Sequence, residues 1–352
     1  MDESTQTIGK KNWYDKSHKI ALIIPILLII FSLGYMVFFY NTHGDFIKKD
    51  ISLIGGTSVE IYEKLDINKL QTDLSSKLPD LNIREIFDLT TREQKAVVIE
   101  TTADGTTTKS ILEDYLGYSL TEKNSSFEFT GALLSQSIYV QLLLAVLFAF
   151  LLMGWVIFIL FSKSFKFKII LSVITALSPI LFFLRVLPIT YSIILTLVCI
   201  AASFFIYFKS SIPSFIIVTC AFADILMTLT VVNILGIKVS TAGIVAFLML
   251  IGYSIDTDIL LTNRLLKKRT EGSINHTIFR AFKTGITMTL TAIATMIISL
   301  LIVSSFSQTL SQIFTIILIG LFFDILNTWV SNASVLKWYI ERKQKHGKEN
   351  NI

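Results

Sequence analysis

Long apolar runs separated by short polar segments dominate this chain of 352 residues. A helix rises 1.5 Å per residue, so about 20 apolar residues cross a hydrocarbon core of about 30 Å. Pro179, Arg185 and Pro188 interrupt the third and fourth runs, which also fit one interrupted hairpin. The pattern predicts about eight transmembrane helices, at roughly 20–40, 137–161, 168–185, 187–208, 213–235, 239–262, 277–303 and 309–335.

One long polar segment, residues 41–136, separates the first two apolar runs. Its periodicity predicts the order β-α-β-β-α-β, which is that of the split, ferredoxin-like α+β module. Asp66 and the stretch DGTTTKSILED mark the two helix starts. The six elements are predicted at 57–63, 67–77, 82–88, 95–101, 107–118 and 126–130.

Two adjacent glycines, Gly55 and Gly56, precede the first predicted strand in LIGGTSVEI. A phosphate-binding loop would be followed by a helix that begins with Lys and Ser or Thr, and none follows here. The glycines therefore predict a tight entry into the strand.

Composition supports a membrane protein, since 53% of the residues are hydrophobic and 16% are charged, against about 25% charged in soluble domains. The formal net charge is +5, but the Lys and Arg residues flank the apolar runs, which is the positive-inside pattern rather than a nucleic-acid footprint. Basic residues cluster in segments such as 264–269. The bias predicts that both termini are cytoplasmic and that residues 41–136 are extracytoplasmic. Cys199 and Cys220 lie in apolar runs without metal-site spacing.

These patterns divide the chain into seven parts. They are a cytoplasmic tail at 1–19, a first span at 20–40, the extracytoplasmic ferredoxin-like domain at 41–136, a second span at 137–161, an additional hairpin at 162–208, a four-helix core at 209–335 and a cytoplasmic basic tail at 336–352. No motif for a catalytic residue, a cofactor or a metal stands out, and we expect no enzymatic activity.

Four carboxylates lie inside the predicted spans, at Asp224, Asp256, Asp258 and Asp324. A charge at a helix centre costs at least about 2.5–3.5 kcal/mol on insertion scales, so each requires a partner, an aqueous cavity or a proton. Helix rise places Asp224 and Asp324 about 16 Å from the inner boundary, near the midplane. Asp256 and the basic Lys283 share a depth of about 9 Å.

Asp256 and Asp258 point to different sides of their helix, because residues two positions apart are rotated by about 200° around the helix axis. One is expected to face the bundle and the other a water-filled vestibule or a second subunit. Beyond Lys283, the polar residues Thr284, Thr287 and Thr291 form a stripe that could hold water and carry protons.

A purely structural interpretation stays open. An Asp–Lys ion pair can simply hold helices together, and Asp258 with Arg264 can be interfacial.

Four membrane motifs occur in order: FKSSIPSFIIVTCAFADILMTL, IGYSIDTDILLTNR, AFKTGITMTLT and FDILNTW, after a domain that begins GGTSVEI. Together they resemble the SecF family of archaeal protein export, within the RND superfamily. Gly252, Tyr253 and Arg264 belong to the second motif. The resemblance implies an RND-type helix bundle that pairs with a SecD-like subunit.

The same resemblance implies a function. Family members assist the movement of a translocating preprotein through the Sec channel and draw on the proton-motive force. By motif position, the basic role falls on Lys283 and the acidic role on Asp224 and the Asp256–Asp258 segment. Bacterial relatives place their acid at the position of Thr257, which leaves the choice of aspartate open. They commonly have six spans, so the hairpin at 162–208 is expected to be additional and to pack at the periphery.

Two other functions remain possible at this stage: an RND-type exporter of small molecules, and a passive scaffold of the translocon. The expected partners are a SecD-like subunit, the Sec channel, the preprotein and the lipid bilayer, with no nucleic acid and no cofactor.

Overall fold

The computed structural model describes residues 20–88, 91–267, 274–305 and 307–349. The predicted tail at 1–19 lies outside the described residues, as do Lys268 and Arg269 of the basic segment 264–269 and the last three residues of the predicted tail at 336–352.

The described elements follow one another as α1 (Ile23–His43), α2 (Ile51–Ile54), β1 (Gly56–Ile61), α3 (Ile67–Leu74), β2 (Asn82–Phe87), β3 (Gln94–Thr101), α4 (Gly105–Leu116), β4 (Ser125–Thr130), α5 (Ala132–Phe161), α6 (Phe165–Phe183), α7 (Ile189–Ser210), α8 (Ile212–Ile234), α9 (Thr241–Leu266), α10 (Ile274–Val303), α11 (Gln308–Leu326), a π-helix (Asn327–Asn332) and α12 (Ala333–Glu349).

Eight helices among the described residues are long and apolar enough to cross a membrane, which confirms the prediction. They are α1, α5 to α10, and a continuous helix of 37 residues from Gln308 to Gln344 that includes α11, the π-helix and the start of α12. The sequence predicted that this last helix ends near residue 335, but the helix continues to Gln344. Leu336 and Ile340 pack against Leu265 of α9, so the apolar face of the helix continues. Lys337, assigned to a tail by sequence, is 1% exposed.

The small domain has the predicted β-α-β-β-α-β order, and all strand pairs in its sheet are antiparallel in the order β2-β3-β1-β4. Its core lies between one face of the sheet, including Val59 and Ile99, and the helices α3 and α4. Helix α3 begins where the sequence predicts, because the Asp66 carboxylate accepts hydrogen bonds from the N–H groups of Asn68 and Lys69.

Helix α8 is the centre of the membrane bundle and contacts α1, α5, α7, α9, α11 and the π-helix. Helix α10 packs against α9 and α11 on one side of this core. The hairpin of α6 and α7 lies at the periphery, as predicted, where it packs on α5 and, through α7, on α8. The Trp155 Nε1–H donates to Ser172 Oγ at 2.8 Å across the α5–α6 contact.

A strap at residues 45–56 joins the small domain to one end of the bundle, which we call the domain-side end. The backbone of Val239, between α8 and α9, accepts from Asp50 N–H at 2.9 Å and donates to the Lys48 carbonyl at 2.6 Å. Leu53 is buried in the apolar core of the bundle. The chain then passes directly into β1.

The two glycines that end the strap, Gly55 and Gly56, enter the strand as predicted, at φ of 95° and 152°. Both leave no room for a side chain: a Cβ on Gly55 would meet the backbone of Ala132, and one on Gly56 would overlap with the carbonyl of Thr101. The small domain, α5 and the strap therefore meet backbone to backbone at this point.

We expect Gly56→Ala to lower the stability of the purified chain far more than Gly117→Ala. Gly117 also has a positive φ, of 76°, but nothing lies within 4 Å of an added Cβ there. That control therefore carries only the cost of the left-handed backbone, about 1–2 kcal/mol, whereas Gly56→Ala adds a clash with backbone. Thermal unfolding in detergent measures both, and equal falls in melting temperature would contradict the packing role of Gly56.

Candidate functional site

Three carboxylates from three helices meet in the middle of the bundle: Asp224 of α8, Asp258 of α9 and Asp324 of α11. Each is 0% exposed. The helices α8, α9 and α11 pack pairwise against one another, which brings the acids into one region. We call these three residues the carboxylate cluster.

Side chains from neighbouring helices surround the first carboxylate, that of Asp224. Ser254 of α9 donates to its Oδ2 at 2.5 Å, and the amide of Asn327 donates to its Oδ1 at 2.6 Å. Asp224 is thus held by α9 on one side and by the π-helix on the other. Its two donors are neutral.

A chain of hydroxyls connects the other two carboxylates. Thr328 Oγ1 lies 2.9 Å from Asp258 Oδ1 and 3.1 Å from Asp324 Oδ1. Thr257 Oγ1 lies 3.0 and 3.2 Å from the two oxygens of Asp324, and the amide of Asn332 donates to Asp258 Oδ1 at 2.7 Å.

The hydroxyls of this network have fewer hydrogens than there are oxygens in position to accept them. A threonine hydroxyl has one hydrogen, so Thr328 can donate to only one of Asp258 and Asp324 at a time. Thr257 faces the same choice, because its oxygen is also 2.9 Å from the Ser254 carbonyl. A proton on a carboxyl group supplies the donor that is missing from either contact.

Several oxygens around the cluster have no hydrogen-bond partner among the described residues: Asp258 Oδ2, Asn327 Oδ1 and Asn332 Oδ1. The ion pairs within 4.0 Å that join described residues all lie elsewhere in the chain. Three ionised carboxylates without a cation would be very costly in a low-dielectric interior. The cluster is therefore expected to hold at least one bound proton.

The π-helix at Asn327–Asn332 explains how one helix supplies so many polar groups. Its i→i+5 hydrogen bonding brings residues five apart close to one face, and such segments are frequent at functional sites. Asn327 and Asn332 are five apart, and both donate to the cluster, one to Asp224 and the other to Asp258.

Apolar layers close the cluster on both sides. The domain-side layer includes Phe247 and Leu250 of α9 and Ile316, Ile317 and Leu321 of α11. The layer toward the opposite end includes Leu261, Leu265, Trp329, Leu336 and Ile340.

Glycines allow close contact in each layer. A Cβ on Gly320 would overlap with the Leu250 side chain, and one on Gly285 would overlap with the ring of Trp329. The carboxylates are therefore sealed from both ends of the bundle.

The sequence of this chain matches known membrane proteins. Residues 186–342 match the family described as "Protein export membrane protein SecD/SecF, C-terminal". The protein-export membrane protein SecF of Methanocaldococcus jannaschii is 32% identical over 332 residues, which cover 92% of this chain and 96% of that protein. The chain belongs to the SecF family.

Other relatives agree over a shorter region. The protein-export membrane protein SecF of Methanothermobacter thermautotrophicus is 45% identical over 141 residues, which are 39% of this chain and 48% of that protein. The crystal structure of SecDF, a translocon-associated membrane protein from Thermus thermophilus, superposes with a TM-score of 0.57 at 14% identity. It covers 95% of this SecF-family chain, which spans 40% of the SecDF chain, and it shows that the fold is shared.

The SecD/SecF family match covers only part of the extra hairpin. The match begins at residue 186, just before α7, and so includes α7 but not α6. That the whole hairpin at 162–208 is an addition to the SecF family pattern therefore stays a prediction.

Within this SecF-family chain, the predicted pairing of Asp256 with Lys283 is not formed. Both side chains are exposed on the surface of the chain, and no ion pair within 4.0 Å joins these two described residues. The expected division of the two aspartates is correct, but Asp258 is the one that faces the bundle. The rotation of about 200° between them leaves Asp256 outside.

The stripe of Thr284, Thr287 and Thr291 does not line the cluster. Thr287 and Thr291 are exposed, and all three hydroxyls donate to backbone carbonyls of their own helix. The interfacial pairing of Asp258 with Arg264 is wrong as well, since Arg264 donates to the Arg280 carbonyl at 2.9 Å.

Two further residues of the second SecF motif, Gly252 and Tyr253, are exposed on the same helix as Asp256. They lie outside the carboxylate cluster.

Sequence reasoning missed the neutral half of the site: Ser254, Thr257, Asn327, Thr328 and Asn332. A signal was present, because FDILNTWVSN carries four polar side chains within eight residues of Asp324 in an otherwise apolar run. Their common face could not be predicted, since an α-helical period would separate Asn327 from Asn332 by about 140°.

We expect Gly285→Ala to displace Trp329 and destabilise the purified chain, because the new Cβ would overlap with the indole ring. Gly252→Ala is the matched control, since an added Cβ there meets nothing within 4 Å. Thermal unfolding and tryptophan fluorescence in detergent measure the effect. Unchanged fluorescence and melting temperature in Gly285→Ala would show that the layer around Trp329 is not tightly closed.

Proposed function

We propose that this chain is the SecF subunit of a SecDF complex and couples the proton-motive force to Sec-dependent protein export through Asp224, Asp258 and Asp324. Membership of the SecF family of protein-export membrane proteins supports the export role. The observation that carries the coupling is the group of three fully buried carboxylates, bridged by shared hydroxyls and without an ion-pair partner among the described residues.

Proton exchange at the cluster would change the packing of three helices together. When a proton leaves, the hydroxyl of Thr328 can satisfy only one carboxylate, and the remaining negative charges repel each other. When a proton returns, Asp258 and Asp324 can share donors again. The two states therefore favour different distances between α9 and the π-helix.

Helix α9 offers a route from this change to the small domain. Ser254 and Asp258 of α9 contact the cluster, while at the other end of the helix the Thr241 N–H donates to Ser52 Oγ of the strap at 3.2 Å. The strap leads into β1 through Gly55 and Gly56. A shift of α9 along its axis would therefore move the small domain.

We place that domain on the extracytoplasmic side, with both termini in the cytoplasm, on the positive-inside rule. There it would grip or release the preprotein that emerges from the Sec channel. The chain itself then needs no catalytic residue and no cofactor.

A surface on α9 and α10 would bind the SecD-like partner, which the joint name of the SecDF relative supports. The surface carries Asp256, Lys283, Thr287 and Thr291, all exposed in the described chain although they lie within spanning helices. Charges that face lipid are costly at this depth, so another polypeptide is expected to cover them. Asp256 and Lys283 then position the partner rather than carry the proton.

We expect Asp258→Asn and Asp324→Asn to lose the increase in export that a proton gradient causes. Asparagine keeps the size of the side chain but cannot exchange a proton near neutral pH. Export into inverted membrane vesicles with and without a gradient measures the effect, and Asp114→Asn, an exposed acid on α4, is the control. Full stimulation in both cluster variants would exclude this coupling and favour a passive scaffold.

We also expect Lys283→Ala and Asp256→Leu to weaken co-purification with the SecD-like subunit. The melting temperature of the isolated chain should not fall, because neither side chain is buried in it. Lys166→Ala, an exposed lysine on the peripheral hairpin, serves as control. Undiminished co-purification of both variants would place the partner on another surface.

A further inference from the structure

A cavity of about 390 Å³ with both polar and apolar walls lies between the small domain and the domain-side end of the bundle. Its walls combine the strap, the start of β2, the α8–α9 connection and the start of α11. The lining residues on which the inference rests are Asp50, Asn82, Lys238, Ser311, Gln312 and Thr315. The rim is exposed at Gly236 and Lys238, whereas Gln312 is buried at 7% exposure and forms the floor.

The cavity floor is held in place by hydrogen bonds between helices. Gln312 donates to the Lys238 carbonyl and accepts from both the N–H and the hydroxyl of Ser240, the residue that caps α9. The hydroxyl of Ser311 has no partner among the described residues. The floor of the cavity therefore carries polar groups that can hydrogen-bond water.

The cavity and the carboxylate cluster lie along the same helices. Gln312 and Asp324 are 12 residues apart on α11, or about 18 Å, and Leu235 at the end of α8 is 11 residues, or about 16 Å, from Asp224. The domain-side apolar layer lies between them; it includes Phe247, Ile316 and Ile317, and Leu250 packs against Gly320 there. This layer would have to open to join the cavity to the cluster.

Asp50 is the acid that lines this cavity. Its backbone N–H donates to the Val239 carbonyl, its side chain does not cap α2, and its half-buried carboxylate lies at the cavity wall. Glu100 of β3, Arg84 of β2 and Lys238 of the α8–α9 connection are the charged groups whose electrostatic effect reaches it.

We propose that this cavity is the port through which protons reach the carboxylate cluster from the domain side of the bundle, and that Asp50 is the residue that takes them up. The inference rests on the proposed proton coupling and adds its entry point. Water or hydronium is the ligand, and each transfer moves one proton from hydronium to Asp50 and then, when the layer at Leu250 opens, to Asp324 or Asp224.

The electrostatics of Asp50 suit this role. Its partial burial raises the pKa of the carboxyl group above the usual value, and the negative charge of Glu100 raises it further. The hydrogen bond from the Ile51 N–H acts in the opposite direction, as do the charges of Arg84 and Lys238. A raised pKa keeps more of the acid protonated at a given pH, so protons remain available for inward transfer as the external pH rises.

Proton uptake by proteoliposomes that contain this chain and its SecD-like partner tests the proposal, with the domain side made acidic. We expect Asp50→Asn to slow uptake at least tenfold and Asp50→Glu to retain most of it. Glu128→Gln, an exposed acid on β4, should have no effect, and Asp258→Asn should stop uptake as a positive control.

The outcomes distinguish failure of the proposed port from failure of the proposed proton coupling. Wild-type uptake in Asp50→Asn, with uptake abolished in Asp258→Asn, would overturn the port and leave the coupling intact. Undiminished uptake in Asp258→Asn, or no uptake by the wild-type complex, would overturn both. Circular dichroism and thermal unfolding of each variant show whether a loss reflects misfolding; a folded Asp50→Asn protein with slow uptake supports the port.

A second variant tests the sign of the electrostatic effect. Removal of the Lys238 charge in Lys238→Gln raises the pKa of Asp50, so the external pH at which uptake is half-maximal should shift upwards. The shift should disappear when Asp50→Asn is also present. A downward shift, or the same shift without Asp50, would contradict the assignment.

Discussion

The structure depends on the burial of three carboxylates among neutral donors. Each acid alone would cost several kcal/mol in a membrane interior, and among the described residues its hydrogen-bond partners are hydroxyls and amides rather than basic side chains. Because Thr257 and Thr328 lie within reach of more acceptors than they have hydrogens, the network is complete only when a carboxyl group is protonated. The most buried part of the bundle is thereby also the part most sensitive to proton exchange.

The membrane helices divide into those that contact this cluster and those that lie away from it. Helices α8, α9 and α11 carry the acids, and α9 is also tied to the strap that enters the small domain. Among the described residues, the hairpin of α6 and α7 packs mainly on α5 and, through α7, on α8. Asp256 and Lys283 are exposed whereas the acids are buried, so the proposed partner surface and the proposed site of proton exchange lie on different sides of α9.

Much of this could be predicted from sequence, for identifiable reasons. Apolar run length determines the eight spans, and the cap at Asp66 and strand alternation determine the small domain. Which acids meet could not be predicted, because the choice between Asp256 and Asp258 depends on the rotation of α9 against its neighbours. Nor could the roles of Asn327 and Asn332, since a π-helical segment has no periodicity signal of its own.

The continuous helix from Gln308 to Gln344 is about 55 Å long by its 37 residues and reaches well beyond the bilayer core. The π-helix inserts surplus backbone into its middle, which sets the two halves of this rod out of phase by about 100°, the rotation of one residue. The buried face of α12, with Leu336 and Lys337, therefore owes its direction to a segment that contacts the acids. Removal of a single residue between 327 and 332 would rotate the far half of this helix by about 100° and turn Leu336 and Lys337 away from the contacts that now bury them.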